Sequence, residues 1–552
     1  MSGTPGESAL AAVLDPGPAI RAPNAWLLVA VVGTFWPVLF GAYLADDLRL
    51  LLHNPAIEAG DVRALLLEPM FGAQGGYWRP ATMLAMYCGH TLGGAFGMHL
   101  LSLSLHGINT LAVHALARRL VAPSPAFWVA LVFAVHPVQV ESVAWCAAIN
   151  DPLWVAAALQ ALLATLRWLP ARRWGLPWAA MGWVLLASAA KEPGVVAAVL
   201  TVVAATIGPG ARPASARVWL WVAVAMVGTT LVWFVARAVV HGEWVGQVMA
   251  GASVDPFTAF APLRAAHLLL AQLALLPWPW PSLLMRSVAP SPTAEWLAAV
   301  VVALAVLSAV AWWRRVPPFV RFAAALVLVP LLPVVVYGRV IGVYPIADRY
   351  LYLPVVGFAL LLGGSLRCAR GRWLPWAVPG VFAAASFVAT WNWHDSAHLV
   401  AHSIVHAPDD PMVQAMAGDL ALDRAFAGDY PAILAAKDHY ERVVALVDPG
   451  RLDEQRRRSL GTARLGLAWC RLLRREGDAS QDEAILAAFR TAVDVGAENA
   501  MAWVGLAAAN LQLRRFDAAE AAFTEALRRD PKCKPAQSGL QRVREQRAAG
   551  GR

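Results

Sequence analysis

The chain has 552 residues, a formal net charge of +9 and 59% hydrophobic residues, including 25 Trp. Soluble domains average about 45–50% apolar residues, so the composition predicts a membrane protein. Residues 1–393 carry 23 Lys/Arg and 14 Asp/Glu, whereas residues 394–552 carry 22 of each. The excess positive charge therefore lies in the apolar part. This argues against a nucleic-acid partner and is typical of basic cytoplasmic loops.

The apolar runs predict an all-α membrane bundle over residues 25–393, after a cytoplasmic N-terminus, 1–24, that resembles a signal anchor. The clear spans are 25–44, 218–235, 296–313, 322–337, 351–366 and 373–391, and the less clean ones are 99–117, 124–141, 152–169, 174–190 and 194–208. If 262–278 does not cross, 14 basic and two acidic residues fall on the cytoplasmic side. This bias predicts about 11 spans and a non-cytoplasmic domain, 394–552.

Two adjacent carboxylates, Asp46 and Asp47, follow the first span and open a predicted external loop, 45–98. Charges at the mouth of a span are costly and point to function. Two neighbouring carboxylates raise each other's pKa, which suits a general base that works near neutral pH. The sequence leaves open which of the two is the base, with a slight preference for Asp47 as the more loop-like residue.

Further polar groups lie at or near the same predicted face and are expected to line one polar cleft. They are His99, His106 and Asn109 on one helix face, then His136, Glu141, Asp151, Lys191, Glu192, Asp348 and Arg349. A zinc site at His99 and His106 is a weaker alternative, because their spacing differs from helical zinc motifs. The five Cys show no metal-type spacing either.

The sequence of the polar C-terminal part predicts tetratricopeptide repeats. Each repeat has about 34 residues and forms a pair of helices. The motif residues in 500–533 are Trp503, Leu506, Phe516, Ala519, Phe523, Ala526 and Pro531. Two weaker units, 412–449 and 460–497, precede this one, and the register of the later unit is off by a residue. An array of this length predicts either a scaffold or a groove that binds a peptide.

Six strings occur in a characteristic order: DDLRLLLHNPAI, YWRP, FGMHLLSLSLHGIN, HPVQVESVAW, AKEPG and ADRYLYLP. Together with the repeats, they resemble the transmembrane and tetratricopeptide-repeat O-mannosyltransferases and their bacterial relatives, in the GT-C glycosyltransferase superfamily. The resemblance implies a polytopic bundle with an acidic motif in its first external loop. It also implies transfer of a sugar, mannose in the animal members, from a polyprenyl-phosphate donor to Ser/Thr of proteins outside the cytoplasm.

The sequence departs from the family pattern at three points. These departures bear on the identity of the sugar and of the acceptor more than on the type of reaction. Gln139 stands where a second His is expected, the stretch after Trp145 reads CAAIND, and the repeat array is short.

Sugar transfer needs a base, charge compensation for the leaving phosphate, and a pocket that excludes water. The base is assigned to Asp46 or Asp47. Arg349 is the first choice for the phosphate, followed by Lys191 and Arg79, while Glu192 and Asp348 are also candidates to pair with these cations. The candidate sugar or acceptor contacts are His53, Asn54, His99, His136, Glu141, Asp151, Glu192 and Tyr350. The scheme requires no metal or other cofactor beyond the lipid-linked donor.

Three alternatives stay open: a glycosyltransferase that acts on a lipid or polysaccharide, a non-enzymatic anchored repeat scaffold, and a transporter. A scaffold needs only one span, and the internal symmetry typical of many transporters is absent from the sequence. The expected location is a bacterial inner membrane, with the repeats in the periplasm or outside the cell and a protein or peptide as the partner.

Overall fold

The computed structural model describes residues 20–70, 77–171, 176–207, 216–241, 261–283, 286, 291–337, 346–368, 374–448, 454–474, 479–494 and 500–550. Every named element within these ranges is helical, and one isolated bridge joins Arg286 to Ile346. The chain divides into two compact units, Met1–Leu399 and Val400–Arg552. The all-α prediction is therefore confirmed for the described residues.

The first unit is a bundle in which many helices begin at Pro, because Pro lacks the N–H group that is unpaired in a helix's first turn. Its main helices are Pro23–Phe35, Pro80–Leu120, Pro123–Val135, Val140–Ala144, Asn150–Ala171, Trp178–Ala190, Val196–Ile207, Ala216–His241, Pro262–Ala274, Pro292–Trp312, Pro318–Leu328, Leu332–Tyr337, Pro354–Cys368 and Leu374–Asn392. The Ser396–His406 helix contains residues of both units, because the boundary falls between Leu399 and Val400.

Six helices among the described residues are long and apolar enough to cross a membrane, or seven if the bent pair Pro123–Val135 and Pro137–Ala144 counts as one span. The chain is therefore a membrane protein. The count of about 11 spans stays a prediction, as does the cytoplasmic or external side of each loop. The 13-residue Pro262–Ala274 helix is about 20 Å long, short of a ~30 Å hydrocarbon core. That 262–278 does not cross stays a prediction.

The described part of the predicted first external loop, 45–98, contains three short helices: Leu48–Leu52, Pro55–Ala59 and Val62–Leu67. The Pro80–Leu120 helix then carries the chain out of this loop and into the predicted span 99–117. It is broken at Gly93 and Gly94, where Gly94 has φ +60. A side chain at Gly97 would collide with the Gly89 carbonyl oxygen, so the two arms of the break pack closely.

The second unit is a succession of helices in which each packs against its neighbour along the chain. They are Pro411–Phe426, Ala432–Leu446, Glu454–Leu473, Asp482–Asp494, Ala500–Gln512, Phe516–Arg529 and Lys534–Gly550.

Two buried rings of the second unit make equivalent contacts, because the Phe489 ring lies against Gly505 and the Phe523 ring lies against Gly539. The Phe and the Gly are equally far apart in sequence in both pairs. The second pair follows the first at a spacing of about 34 residues, which is the period of a tetratricopeptide repeat. Phe489 therefore takes the place in its unit that Phe523 takes in the next, although the sequence motif of the earlier unit is off by a residue.

Candidate active site

The acidic pair lies on a short loop between the Pro23–Phe40 span and the Leu48–Leu52 helix, directly after Ala45, which has a positive φ of 45. L-residues adopt this left-handed conformation at a cost that surrounding contacts must offset. Asp47 supplies such contacts: its Oδ2 accepts from the Leu44 N–H at 2.9 Å, and its Oδ1 accepts from the Ala147 N–H at 2.6 Å. The loop is therefore fixed to a segment far along the chain.

The two aspartates differ in their environment. Asp47 is fully buried, and burial raises the pKa of its carboxyl to about 7, against the lowering effect of the backbone N–H groups and with a smaller upward contribution from Asp46. Asp46 is exposed. Mutual repulsion was expected to raise the pKa values, but desolvation is the larger cause. The geometry favours Asp46 as the carboxylate that a substrate can reach.

Three cations from separate segments lie close together beside this loop, and each is paired with a carboxylate. Arg79 donates to Glu192 at 2.6 and 2.9 Å, Lys191 donates to Asp151 at 2.5 Å, and Arg349 donates to Glu141 through both its guanidinium and its backbone N–H. Lys191 lies within electrostatic range of both Arg79 and Arg349.

Burial differs between the two members of each ion pair, and in two of the pairs the carboxylate is the more deeply buried member. The Glu141 and Asp151 side chains are 0% and 3% exposed, while those of Arg349 and Lys191 are 15% and 9% exposed. These two carboxylates are therefore more deeply buried than the cations with which they pair. In the third pair the order is reversed, since the Glu192 side chain is 30% exposed and that of Arg79 is 12% exposed.

Aromatic rings join the cations to one another and to the acidic loop. The Arg349 guanidinium lies 5.1 Å from the Tyr350 ring centroid and 5.3 Å from that of Trp145, and the Lys191 ammonium lies 5.9 Å from the Tyr350 ring. Cations within about 6 Å of a ring face are attracted to it. The Trp145 indole also donates to the Leu44 carbonyl at 3.3 Å. Trp145 thus connects Arg349 to the loop that carries the aspartates.

Arg286 and Tyr352 are polar residues of this region that sequence reasoning did not assign to the site. Arg286 binds Asp348 at 2.8 and 3.2 Å and also donates to the Pro279 and Pro281 carbonyls. It therefore fixes the residue that precedes Arg349. Burial raises the pKa of Asp348 to about 6, although Arg286 opposes this shift.

The Tyr352 hydroxyl lies 2.8 Å from His106 Nδ1 and accepts from the Asn109 amide at 3.2 Å. It thus joins two of the predicted cleft residues. Only its place in the ADRYLYLP string could have indicated Tyr352 from the sequence.

The predicted sugar or acceptor contacts His99, His136 and Asn54 are engaged within the protein. His99 is 1% exposed and contacts the Cys146 thiol at 3.7 Å. Buried His136 accepts from the Val138 N–H and donates to the Leu276 carbonyl at 2.8 Å. Asn54 caps the Pro55–Ala59 helix by accepting from the N–H at position 56, and the neighbouring His53 is exposed. Their contacts with a substrate stay a prediction.

The zinc alternative at His99 and His106 finds no support in the geometry. Both ring nitrogens of His106 lie at hydrogen-bond distance from other groups, the Tyr352 hydroxyl at 2.8 Å and the Ala134 carbonyl at 3.0 Å. In the part of the chain that the structure describes, no three His, Cys, Asp or Glu side chains are placed to hold a metal ion.

The fold and the site thus define an all-helical membrane protein with a buried cluster of ion pairs next to an acidic loop. No protein-family model matches the chain. The chain is 31% identical over 171 residues to Protein O-mannosyl-transferase Tmtc2 of Drosophila melanogaster, which covers 28% of this chain and 18% of that protein. It is 28% identical over 190 residues to Protein O-mannosyl-transferase Tmtc1 of the same organism, covering 33% of this chain and 22% of that protein. The chain therefore spans less than a quarter of either relative, and the matches support a distant homology.

Proposed function

We propose that this protein is a membrane glycosyltransferase of the GT-C type that moves a sugar, mannose-like, from a polyprenyl-phosphate donor to a hydroxyl group. The proposed acceptor is Ser or Thr of a protein, and the proposed side is the non-cytoplasmic face of a bacterial inner membrane. The convergence of Arg79, Lys191 and Arg349 beside the acidic loop carries this proposal. The names of the two matched relatives agree with the reaction class.

In the proposed reaction, exposed Asp46 accepts the proton of the acceptor hydroxyl as that oxygen bonds to the anomeric carbon of the sugar. The bond between this carbon and the phosphate oxygen breaks, and its electron pair leaves with the polyprenyl phosphate. Arg349, Lys191 and Arg79 stabilise the growing negative charge on the phosphate. Arg349 is suited to bind two phosphate oxygens at once, whereas Lys191 acts as a point charge. No metal ion or other cofactor takes part in this scheme.

Asp47 has a positioning role in this scheme. Its two bonds to the Leu44 and Ala147 N–H groups fix the loop that carries the neighbouring Asp46.

The second unit is proposed to be a tetratricopeptide-repeat array in the periplasm or outside the cell. The recurring contact of a Phe ring with a Gly, at the spacing expected of such repeats, supports this assignment. Its proposed partner is the protein or peptide acceptor.

The test is sugar transfer by the purified full chain in nanodiscs, supplied with a labelled polyprenyl-phosphate mannose and a Ser/Thr-rich peptide. Arg349→Ala leaves the buried Glu141 without its charged partner, and breaking a buried ion pair costs about 3–5 kcal/mol. The informative variants are therefore Arg349→Lys, which keeps the charge, and Arg349→Met combined with Glu141→Gln, which removes both charges.

Loss of one group that stabilises a developing charge lowers kcat by about 10²–10³-fold, and this is the loss expected for the double variant. The matched control is Arg424→Ala, because Arg424 pairs with Asp429 on the surface of the second unit. Normal turnover by the double variant would contradict the phosphate role. Absence of transfer by the unaltered protein from every polyprenyl-phosphate sugar would contradict the proposed function itself.

A further inference from the structure

Three arginines lie in and directly after the turn that joins the Pro292–Trp312 helix to the Pro318–Leu328 helix. They are Arg314 and Arg315, which are exposed, and Arg321, which is half-buried in the first turn of the second helix. The sequence contains no Asp or Glu in 296–347. Among the residues that the structure describes, no carboxylate lies within ion-pair distance of these three arginines. The turn therefore differs from the candidate active site, where each cation has a carboxylate partner.

Two exposed indole rings fix the positions of two of these arginines. Trp312 and Trp313 lie at the end of the first helix and are 60% and 47% exposed. The Arg315 guanidinium lies 5.6 Å from the Trp312 ring centroid, and the Arg321 guanidinium lies 5.0 Å from that of Trp313. Cations within about 6 Å of a ring face are attracted to it. Exposed Trp next to Arg is typical of the level of the lipid headgroups, so the turn is expected to lie there.

Arg321 also has a hydrogen-bond donor that the described residues leave unused. Its Nε is buried and donates to no described group. A buried donor without an acceptor is costly, which points to an acceptor outside the chain. Phosphate oxygens suit this place, because a guanidinium binds two of them at once. The Pro318–Leu328 helix begins beside them, and its positive N-terminal end also favours an anion.

The surface next to the turn is apolar and suits acyl chains. Val306, Leu307 and Val310 are 56%, 65% and 71% exposed and share one face in the last turns of the Pro292–Trp312 helix. This helix hardly packs against the Pro318–Leu328 helix, so the two diverge from the turn. A positive turn followed along the helix by an exposed apolar face has the same order of chemistry as a phospholipid.

We propose that this turn binds the phosphate of an anionic membrane phospholipid, whose acyl chains lie along Val306 and Val310. Basic sites between membrane helices bind such headgroups in other proteins. The inference goes beyond the proposed function and depends neither on it nor on the side of the membrane that the turn faces. Phosphatidylcholine should bind less well, because its choline cation balances its own phosphate. The competing explanations are a soluble phosphate compound and a basic loop that only orients the chain in the membrane.

The first test maps the bound lipid on the unaltered full chain. A phosphatidylglycerol with a diazirine at the start of one acyl chain is photolysed in phosphatidylcholine nanodiscs, and labelled peptides are identified by mass spectrometry. We expect labels within 304–322 that excess phosphatidylglycerol removes and an equal excess of phosphatidylcholine does not. Labels confined to other segments, or equal competition by phosphatidylcholine, would overturn the proposal. So would equal competition by soluble glycerophosphoglycerol, because the ligand would then be a soluble phosphate compound.

The second test compares two pairs of adjacent, exposed arginines at the ends of helices. One variant carries Arg314→Gln and Arg315→Gln, and the matched control carries Arg118→Gln and Arg119→Gln at the end of the Pro80–Leu120 helix. Native mass spectrometry counts the phosphatidylglycerol and phosphatidylcholine that each protein retains from mixed nanodiscs. We expect the first variant to lose about 25-fold in preference for phosphatidylglycerol, about fivefold for each arginine, and the control to keep its preference.

A third variant separates a built site from loop charge alone. Arg321→Lys keeps the positive charge, but Lys has neither the buried Nε donor nor the planar guanidinium that stacks on Trp313. We expect it to lower the preference for phosphatidylglycerol, whereas a loop that only orients the chain would tolerate the change. An unchanged preference in Arg321→Lys, or an equal loss in the two double variants, would overturn the assignment.

Discussion

The contrast between Asp46 and Asp47 gives the sharpest prediction, because one change should act on activity and the other on stability. Asp46 is exposed, so Asp46→Asn should alter the free energy of unfolding by no more than about 0.5 kcal/mol. As the proposed base it should account for about 10²–10⁴-fold in kcat. Asp46→Asn is therefore expected to fold like the unaltered protein and to lose nearly all sugar transfer.

Asp47→Asn should have the opposite signature. An amide oxygen can still accept from the Ala147 N–H, but the amide NH₂ then faces the Leu44 N–H, which is left without an acceptor. An unsatisfied buried donor costs about 1–3 kcal/mol. The thermal midpoint should fall, and any loss of activity should follow from the displaced loop that carries Asp46, so that it persists when the donor is saturating.

The pH dependence provides an independent check on Asp47. Burial raises the pKa of this carboxyl from 3.8 to about 7, so between these pH values the folded state retains a proton that the unfolded state releases. Stability should therefore fall as pH rises from about 4 to 7, by at most about 1.4 kcal/mol per pH unit. Asp47→Asn should flatten this dependence. Thermal unfolding in detergent from pH 4 to 8 measures it, and equal slopes in both proteins would refute the reasoning, as would full transfer activity of Asp46→Asn.

Two further predictions concern packing and buried charge. Arg286→Met leaves the buried carboxylate of Asp348 unpaired, which should lower the free energy of unfolding by about 3–5 kcal/mol, and adding Asp348→Asn should recover part of the loss in a thermal melt. In the second unit, Gly505→Ala drives a methyl group into the Phe489 ring and should cost about 1–3 kcal/mol. Gly461→Ala meets nothing within 4 Å and should stabilise its helix by about 0.5–1 kcal/mol, so equal melting points for the two glycine variants would contradict the packing.

Hydrophobic periodicity and length predicted the all-helical class and several long apolar helices. The runs 218–235 and 296–313, for example, overlap the Ala216–His241 and Pro292–Trp312 helices almost completely. The break at Gly93 and Gly94 was not predicted, because two glycines in an apolar helix give no sign of whether the axis continues. In the second unit, the weaker repeat 460–497 was recognised from sequence, but its register became clear only from the contact of Phe489 with Gly505.

In the candidate site, the sequence indicated which charged residues matter, but it did not indicate which residues pair with one another. Arg79, Lys191 and Arg349 could be selected because charges in an apolar chain are costly and therefore informative. Their partners could not be assigned, because the paired residues are far apart in sequence. Arg79 pairs with Glu192, 113 positions away, and Arg349 pairs with Glu141, 208 positions away. The slight preference for Asp47 as the base relied on local sequence, whereas the burial of Asp47 depends on the distant Ala147 N–H.

The pairing of every cluster cation with a carboxylate bears on how the proposed reaction is accelerated. Only interactions that strengthen between the bound donor and the transition state raise kcat. A sugar-linked phosphate carries about one negative charge, and the released phosphate monoester carries about 1.5 to 2 at neutral pH. Glu141 and Asp151 weaken the attraction of Arg349 and Lys191 for the singly charged donor. The attraction between these cations and the phosphate grows as the second negative charge develops. Because the carboxylates offset the cations' charge, the cluster favours bond cleavage over tight binding of the donor.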